Sequence, residues 1–259
     1  RRRVPQVMPA PHHVERDMEV LWSQTAAAIA EAVAACGRPA AEISAVAATA
    51  HGDGLYLLNA DSRPLGAGIL SLDSRAADVV AGWQADGTAD RALARTGQLP
   101  HASAPSALLA WMRQHQPERF ARIGHVLACK DWLRFCLTGR IATDLTEAST
   151  SFTEVVTQDY APDILPLFGL GALAGALPEI LAPDAIAGHV TPEAAALTGL
   201  IAGTPVAAGL HDVTASALGA GGYGCGVVAI VAGTYSINET VSDSPLVDPR
   251  WFCRNGLVR

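Results

Sequence analysis

Apolar residues first recur at helical spacing over Asp17–Cys36, where Leu21, Ala28, Ile29, Ala32, Val33 and Cys36 share one face and Gly37 ends the run. Glu15-Arg16-Asp17 precedes it, with acidic residues that suit the positive end of a helix dipole. Ile43–Thr49 reads as a buried strand from its β-branched and alanine content, and it runs into Ala50-His51-Gly52-Asp53-Gly54. Leu55–Leu58, the turn residues Asn59-Ala60-Asp61-Ser62 and Pro64–Leu70 predict a hairpin followed by another strand. A helix is predicted over Ala76–Gln84. Shorter ones over Ala89–Gly97, Ala104–His115 and Pro117–Ile123 form an α-rich insertion. Val126–Cys129 is a short strand; the helix Trp132–Leu137 after it has Asp131 as a candidate cap and Gly139 as its stop. Ile164–Leu177 supplies helical pieces interrupted by glycine.

The densest pattern is Gly203–Gly222. Pro205–Gly209 is a short buried strand, and Asp212 follows where a small-residue helix, Val213–Gly219, begins. A carboxylate at a strand-to-helix junction sits where loop tips and helix N-termini converge in open α/β sheets. A second strand, Val227–Ala232, runs into Gly233-Thr234, whose backbone N–H groups and hydroxyl can face an anion. Together they suggest phosphoryl transfer. Asp212 is equally readable as an N-cap, and Gly233-Thr234 as a plain turn.

Composition narrows the class. Half of the 259 residues are apolar, enough for one large domain or two small ones, and only 17% are charged, which argues against wholesale disorder. A formal net charge of −7 weighs against nucleic acid or an anionic membrane as the main partner. Five cysteines without C-x-x-C spacing favour reduced thiols and a cytoplasmic location, and no apolar run is long enough to span a membrane. No metal-ligand set is read from the spacing.

Several segments in order resemble the FGGY carbohydrate kinases, sugar and polyol kinases of the actin/hexokinase-like ATPase superfamily. They are Glu15-Arg16-Asp17 with Leu21-Trp22, Lys130-Asp131-Trp132-Leu133 with Leu137-Thr138-Gly139, Thr143-Asp144 and Ala148-Ser149, Leu177-Pro178-Glu179-Ile180, Gly188-His189-Val190-Thr191, and the Gly203–Gly222 stretch. The resemblance runs from Glu15 to Asn238. It implies an α/β, ribonuclease H-like (actin/hexokinase-like ATPase) domain with a helical insertion. Residues 1–259 would be the amino-terminal, sugar-binding lobe. The family's D-x-G-T phosphate hairpin is expected before Arg1, and its nucleotide lobe after Arg259.

By resemblance Asp212 is the general base, His51 with Gly52 contacts the sugar, and Asp73 and Arg75 in Leu72-Asp73-Ser74-Arg75-Ala76 line the rim of the pocket. His101 stands where relatives place a substrate-packing tyrosine, and Gly233 and Thr234 lie near the γ-phosphate. Each has a plainer reading: His51 as a structural histidine, Asp73 as a cap of Ala76–Gln84, Arg75 as an ion-pair partner. ATP and Mg²⁺ are the implied cofactors, with a small-molecule sugar or polyol, a pentulose or tetritol such as xylulose or erythritol, as acceptor. A homodimer is one option for the assembly. The rival readings are a non-catalytic sugar-binding relative and another actin-like ATPase in which Asp212 positions water.

Overall fold

The computed structural model describes residues 1–222, 224–232 and 236–254. Gly233 and Thr234 lie outside the described residues. Among the described residues the secondary structure is mixed: a three-stranded sheet, five two-stranded ones, and helices packed around them. Ile186–His189, Pro205–Ala207 and Val46–Ala47 form the three-stranded sheet in that spatial order. Pro205–Ala207 runs antiparallel to Ile186–His189 across an irregularity at Ile186/Gly188, and parallel to Val46–Ala47 with Val206 opposite Val46.

That parallel pair matters most, because two strands pointing the same way deliver their following loops to the same edge. Residues 48–54 and 208–212 therefore leave the sheet side by side. Thr49 Oγ1 donates to Leu210 O at 2.9 Å, and a Cβ on Gly209 would lie 2.3 Å from Ala48 O. Gly209 has φ +81°, a conformation that glycine adopts without steric cost, so the close approach depends on it.

Helix Met18–Ala35 starts one residue later than its pattern suggests, because Asp17 is its N-cap: its carboxylate accepts from Val20 N at 2.8 Å. Met18, Leu21 and Ala26 are buried, while Ile29 and Val33 pack on Val190, Ala194 and Leu200 from the side. Ala32 and Cys36, expected on the same face, are exposed, while the helix packs on Pro192–Thr198 and, through Met18 and Leu21, on Trp132 and Leu133. Helices Ala77–Ala85, Thr88–Thr96, Pro105–His115 and Pro117–Phe120 follow one another. They enclose the largest apolar cluster, in which Leu108, Leu109 and Met112 meet Leu55, Ile69 and Phe152.

Helix Cys129–Thr138 begins two residues before the expected Asp131 cap, so Asp131 lies inside its first turn and is buried. Over Ile164–Leu177 the pieces are Ile164–Leu167 and a 3₁₀ turn, Gly171–Ala176. Val228–Ala232 forms a hairpin with Ser236–Thr240. Among the described residues it does not pair with Pro205–Ala207. No helix among the described residues is long and apolar enough to cross a membrane.

Candidate active site

The two adjacent loops bring His51, Asp53, His211 and Asp212 together, and each is positioned by local rules. His51 follows the strand end and is half-buried. Its Nδ1 lies 3.2 Å from Gly52 O, and a carbonyl can only accept, so this nitrogen carries the proton in the neutral ring. Nε2, 3.1 Å from the Tyr56 hydroxyl, then accepts from it. Burial pushes the imidazole below its ordinary value; the Gly52 carbonyl and the charges of Asp212 and Asp53 act the other way without overcoming it.

Asp53 is a non-glycine residue at φ +57°, followed by Gly54 at φ +77°. This left-handed pair turns the chain back towards Leu55, and Gly54 N donates to Ser103 O at 2.9 Å. Burial alone would raise the Asp53 carboxyl. Arg254, 3.4 Å from Oδ2, and His101, with Nε2 3.6 Å from Oδ1, outweigh it and hold the carboxyl well below the usual range. His101 is thus placed beside Asp53, with its ring against Phe252 at 5.7 Å.

Asp212 opens helix Asp212–Gly219 with its side chain 45% exposed. Its Oδ1 accepts from Val213 N at 2.8 Å and lies 3.3 Å from Nδ1 of His211. Among the described residues Oδ2 has no recorded donor, so one lone-pair-bearing oxygen remains for a ligand.

Behind these loops lies a buried ion network that sequence reasoning treated as architecture only. Lys130, 0% exposed, has Nζ at 2.9 Å from Asp131 Oδ1 and 2.8 Å from Asp144 Oδ1, and Arg134 reaches Asp131 at 3.0 Å. Burial alone would depress the Lys130 ammonium, but the two aspartates more than compensate and raise it. Lys130 Nζ and Arg134 Nη1 both donate to Ala208 O, at 3.2 and 3.0 Å, and Arg134 also donates to Ala142 O. Asp144 Oδ2 accepts from the Thr146 hydroxyl at 2.6 Å, and that hydroxyl accepts from His211 N at 2.9 Å. The network thereby fixes residues 208–211, the run leading into Asp212. The signal for it was in the sequence: two basic and two acidic residues inside one motif, on segments otherwise apolar enough to be core.

Asp73 and Arg75 are placed elsewhere. Asp73 accepts from Val14 N at 2.6 Å and from Arg75, and Arg75 bridges to Glu15 at 2.8 Å while its guanidinium stacks on Trp111. Both are buried, and Ala76, with no side-chain cap, precedes helix Ala77–Ala85. The pair ties residues 14 and 15, ahead of the first long helix, to the segment before Ala77–Ala85; among the described residues it makes no hydrogen bond or ion pair with His51 or Asp212. Three or more His, Cys, Asp or Glu side chains do not converge in metal-binding geometry anywhere among the described residues.

Asp212 thus stands half-exposed at a strand-to-helix junction, backed by a buried charged anchor. A xylulose kinase from Rhodospirillum rubrum superposes with a TM-score of 0.92 at 30% identity, over 100% of this chain and 53% of that one. The description "FGGY family of carbohydrate kinases, N-terminal domain" matches residues 1–219, so the chain belongs to that family. The probable L-xylulose kinase of Pasteurella multocida (strain Pm70) is 38% identical over 231 residues, 89% of this chain and 48% of that protein. The erythritol kinase of Brucella abortus (strain 2308) is 36% identical over 222 residues, 83% of this chain and 42% of that protein. The chain spans about half the length of the curated relatives it matches.

Proposed function

We propose that this chain is the acceptor-binding lobe of an ATP-dependent cytoplasmic kinase for a small sugar or polyol, a pentulose or tetritol, with Asp212 as the general base. The observation that carries the reading is the parallel register of Val46–Ala47 with Pro205–Ala207, which sets the His51 loop beside a half-exposed Asp212 at a helix start. The names of the xylulose, L-xylulose and erythritol kinases it resembles support the acceptor class.

A sugar hydroxyl is a weak nucleophile, so phosphoryl transfer needs a carboxylate to accept its proton as the new P–O bond forms. Oδ1 of Asp212 is held by Val213 N, which leaves Oδ2 for that proton. His51 and Gly52, in the loop beside Asp212, are proposed as sugar contacts, on resemblance. MgATP, when bound, supplies the γ-phosphoryl group; Gly233 and Thr234 are proposed beside it, on resemblance. Acceptor-dependent ADP release by the full-length protein tests the reading. Asp212→Asn, with similar shape and no basicity, is expected to lose about 10²–10⁴-fold in kcat with folding intact. Near-normal turnover in that variant removes Asp212 from the role.

A further inference from the structure

We propose that His211 is a positioning residue that aims Asp212, and that Arg254 sets which ring nitrogen carries its proton. The inference deepens the general-base reading of Asp212 and rests on it. Arg254 Nη1 lies 2.9 Å from His211 Nε2. A guanidinium has donors only, so Nε2 must present its lone pair, and in the neutral ring the proton is on Nδ1. Nδ1, a donor in this tautomer, stands 3.3 Å from Asp212 Oδ1, within ion-pair distance. Val213 N, 3.3 Å from Nδ1 and 2.8 Å from Asp212 Oδ1, gives its proton to the carboxylate, because Nδ1 has no lone pair to offer in this tautomer. Val213 N and Nδ1 therefore both stand beside Oδ1, the oxygen that Val213 N already holds.

Every side of the ring is held. The residue is 4% exposed, and its N–H is tied to Thr146. A Cβ on Gly52 would fall 1.6 Å from Nε2, so the opposite loop is glycine where the imidazole passes. Arg254 is itself pinned: Nη2 is 3.4 Å from Asp53 Oδ2, Nε is 3.4 Å from Gln98 Oε1, and Cys253 is bonded through Gly97 O and Gln98 Nε2. The charged groups facing the ring are Arg254, Asp212, Asp53 and, beyond Thr146, Asp144. Burial first, then the Arg254 cation, lowers the imidazole to about 4, so it stays neutral and able to act as a one-way donor at physiological pH.

Two measurements test this. Nitrogen NMR of the chain with labelled histidine, His211 being assigned from the signal lost in His211→Asn, reads the tautomer directly. A neutral Nδ1–H ring is expected from about pH 8 to about pH 5, moving towards Nε2–H in Arg254→Met. An Nε2–H ring in the parent chain, or a tautomer indifferent to Arg254→Met, overturns the proposal. In acceptor-dependent ADP release by the full-length protein, His211→Ala is expected to lose about 10–100-fold in kcat, the range typical of partners that orient a reacting group, with the nucleotide KM little changed. His211→Asn, whose amide N–H can replace Nδ1–H, should recover most of that loss. Equal losses in the two variants, or an effect confined to KM, sink the proposal. A parent protein that releases no ADP with any acceptor refutes the kinase reading instead, and the tautomer measurement still decides the contact.

Discussion

Replacing Gly52 by alanine tests how closely the two site loops are fitted. The added methyl would lie 1.6 Å from Nε2, 1.9 Å from Cδ2 and 2.8 Å from Cε1 of His211, so methyl and imidazole cannot share the space. Gly52 is absent from the residues with positive φ, so alanine adds no backbone strain and gains about 0.4–1 kcal/mol from a stiffer unfolded chain. Overpacking of a buried site costs about 1–3 kcal/mol. Pushing the ring away also breaks a hydrogen bond to the Arg254 guanidinium, about 1.5–3 kcal/mol for a charged partner. The expected net loss is about 2–5 kcal/mol, a large part of a domain's total stability. Equilibrium urea unfolding of Gly52→Ala, His211→Ala and the double variant measures it. His211→Ala removes all three clashing atoms, so the double variant should be less destabilised than the two single losses added together, by about 1 kcal/mol or more. A Gly52→Ala protein within about 0.5 kcal/mol of the parent, or strict additivity, would refute the steric argument.

Lys130→Met should leave Asp131 and Asp144 buried beside no ammonium and cost about 3–5 kcal/mol in urea unfolding; a change under about 1 kcal/mol would mean the network does not hold the 208–211 run. Burial pushes the Glu147 carboxyl well above its ordinary 4.5, with Asp131 and Asp144 adding to the shift against the opposing Lys130. Protonated in the fold and ionised when unfolded, Glu147 draws stability away as pH rises above 4.5, so Glu147→Gln should be as stable as the parent or more so at about pH 7 and flatten that slope. A less stable glutamine variant counts against a neutral Glu147. His211 has the opposite sign: its lowered value means stability present above 6.5 and lost as pH falls towards about 4, by roughly 2 kcal/mol between about pH 7 and pH 5. Thermal midpoints across that window should fall further for the parent than for His211→Asn, and parallel curves would contradict the buried neutral ring.

Local chemistry was legible in the chain because it acts over one turn. A long helix beginning near Asp17, Gly139 ending another at positive φ, and Asp212 at a strand-to-helix junction all follow from neighbours a few residues apart. The family could be read for the same reason: its motifs are short strings around such junctions. The roles left open in the sequence were those that depend on distant partners. Asp73 and Arg75 allowed a pocket, a cap or an ion pair, and tertiary packing joined them to Val14 and Glu15.

Tertiary structure alone decided the rest. No hydrophobic period says that Val46 lies opposite Val206, yet that register is what sets the His51 loop against Asp212. Lys130 can be fully buried only because carboxylates on its own helix and on strand Thr143–Asp144 meet its ammonium, a condition no single segment supplies. Arg254 reaches His211 from a part of the chain in which sequence reasoning found nothing to single out. Side-chain type and spacing specify what a residue can donate or accept; which partner it finds depends on long-range packing, and here that packing selects the tautomer of one imidazole beside the carboxylate.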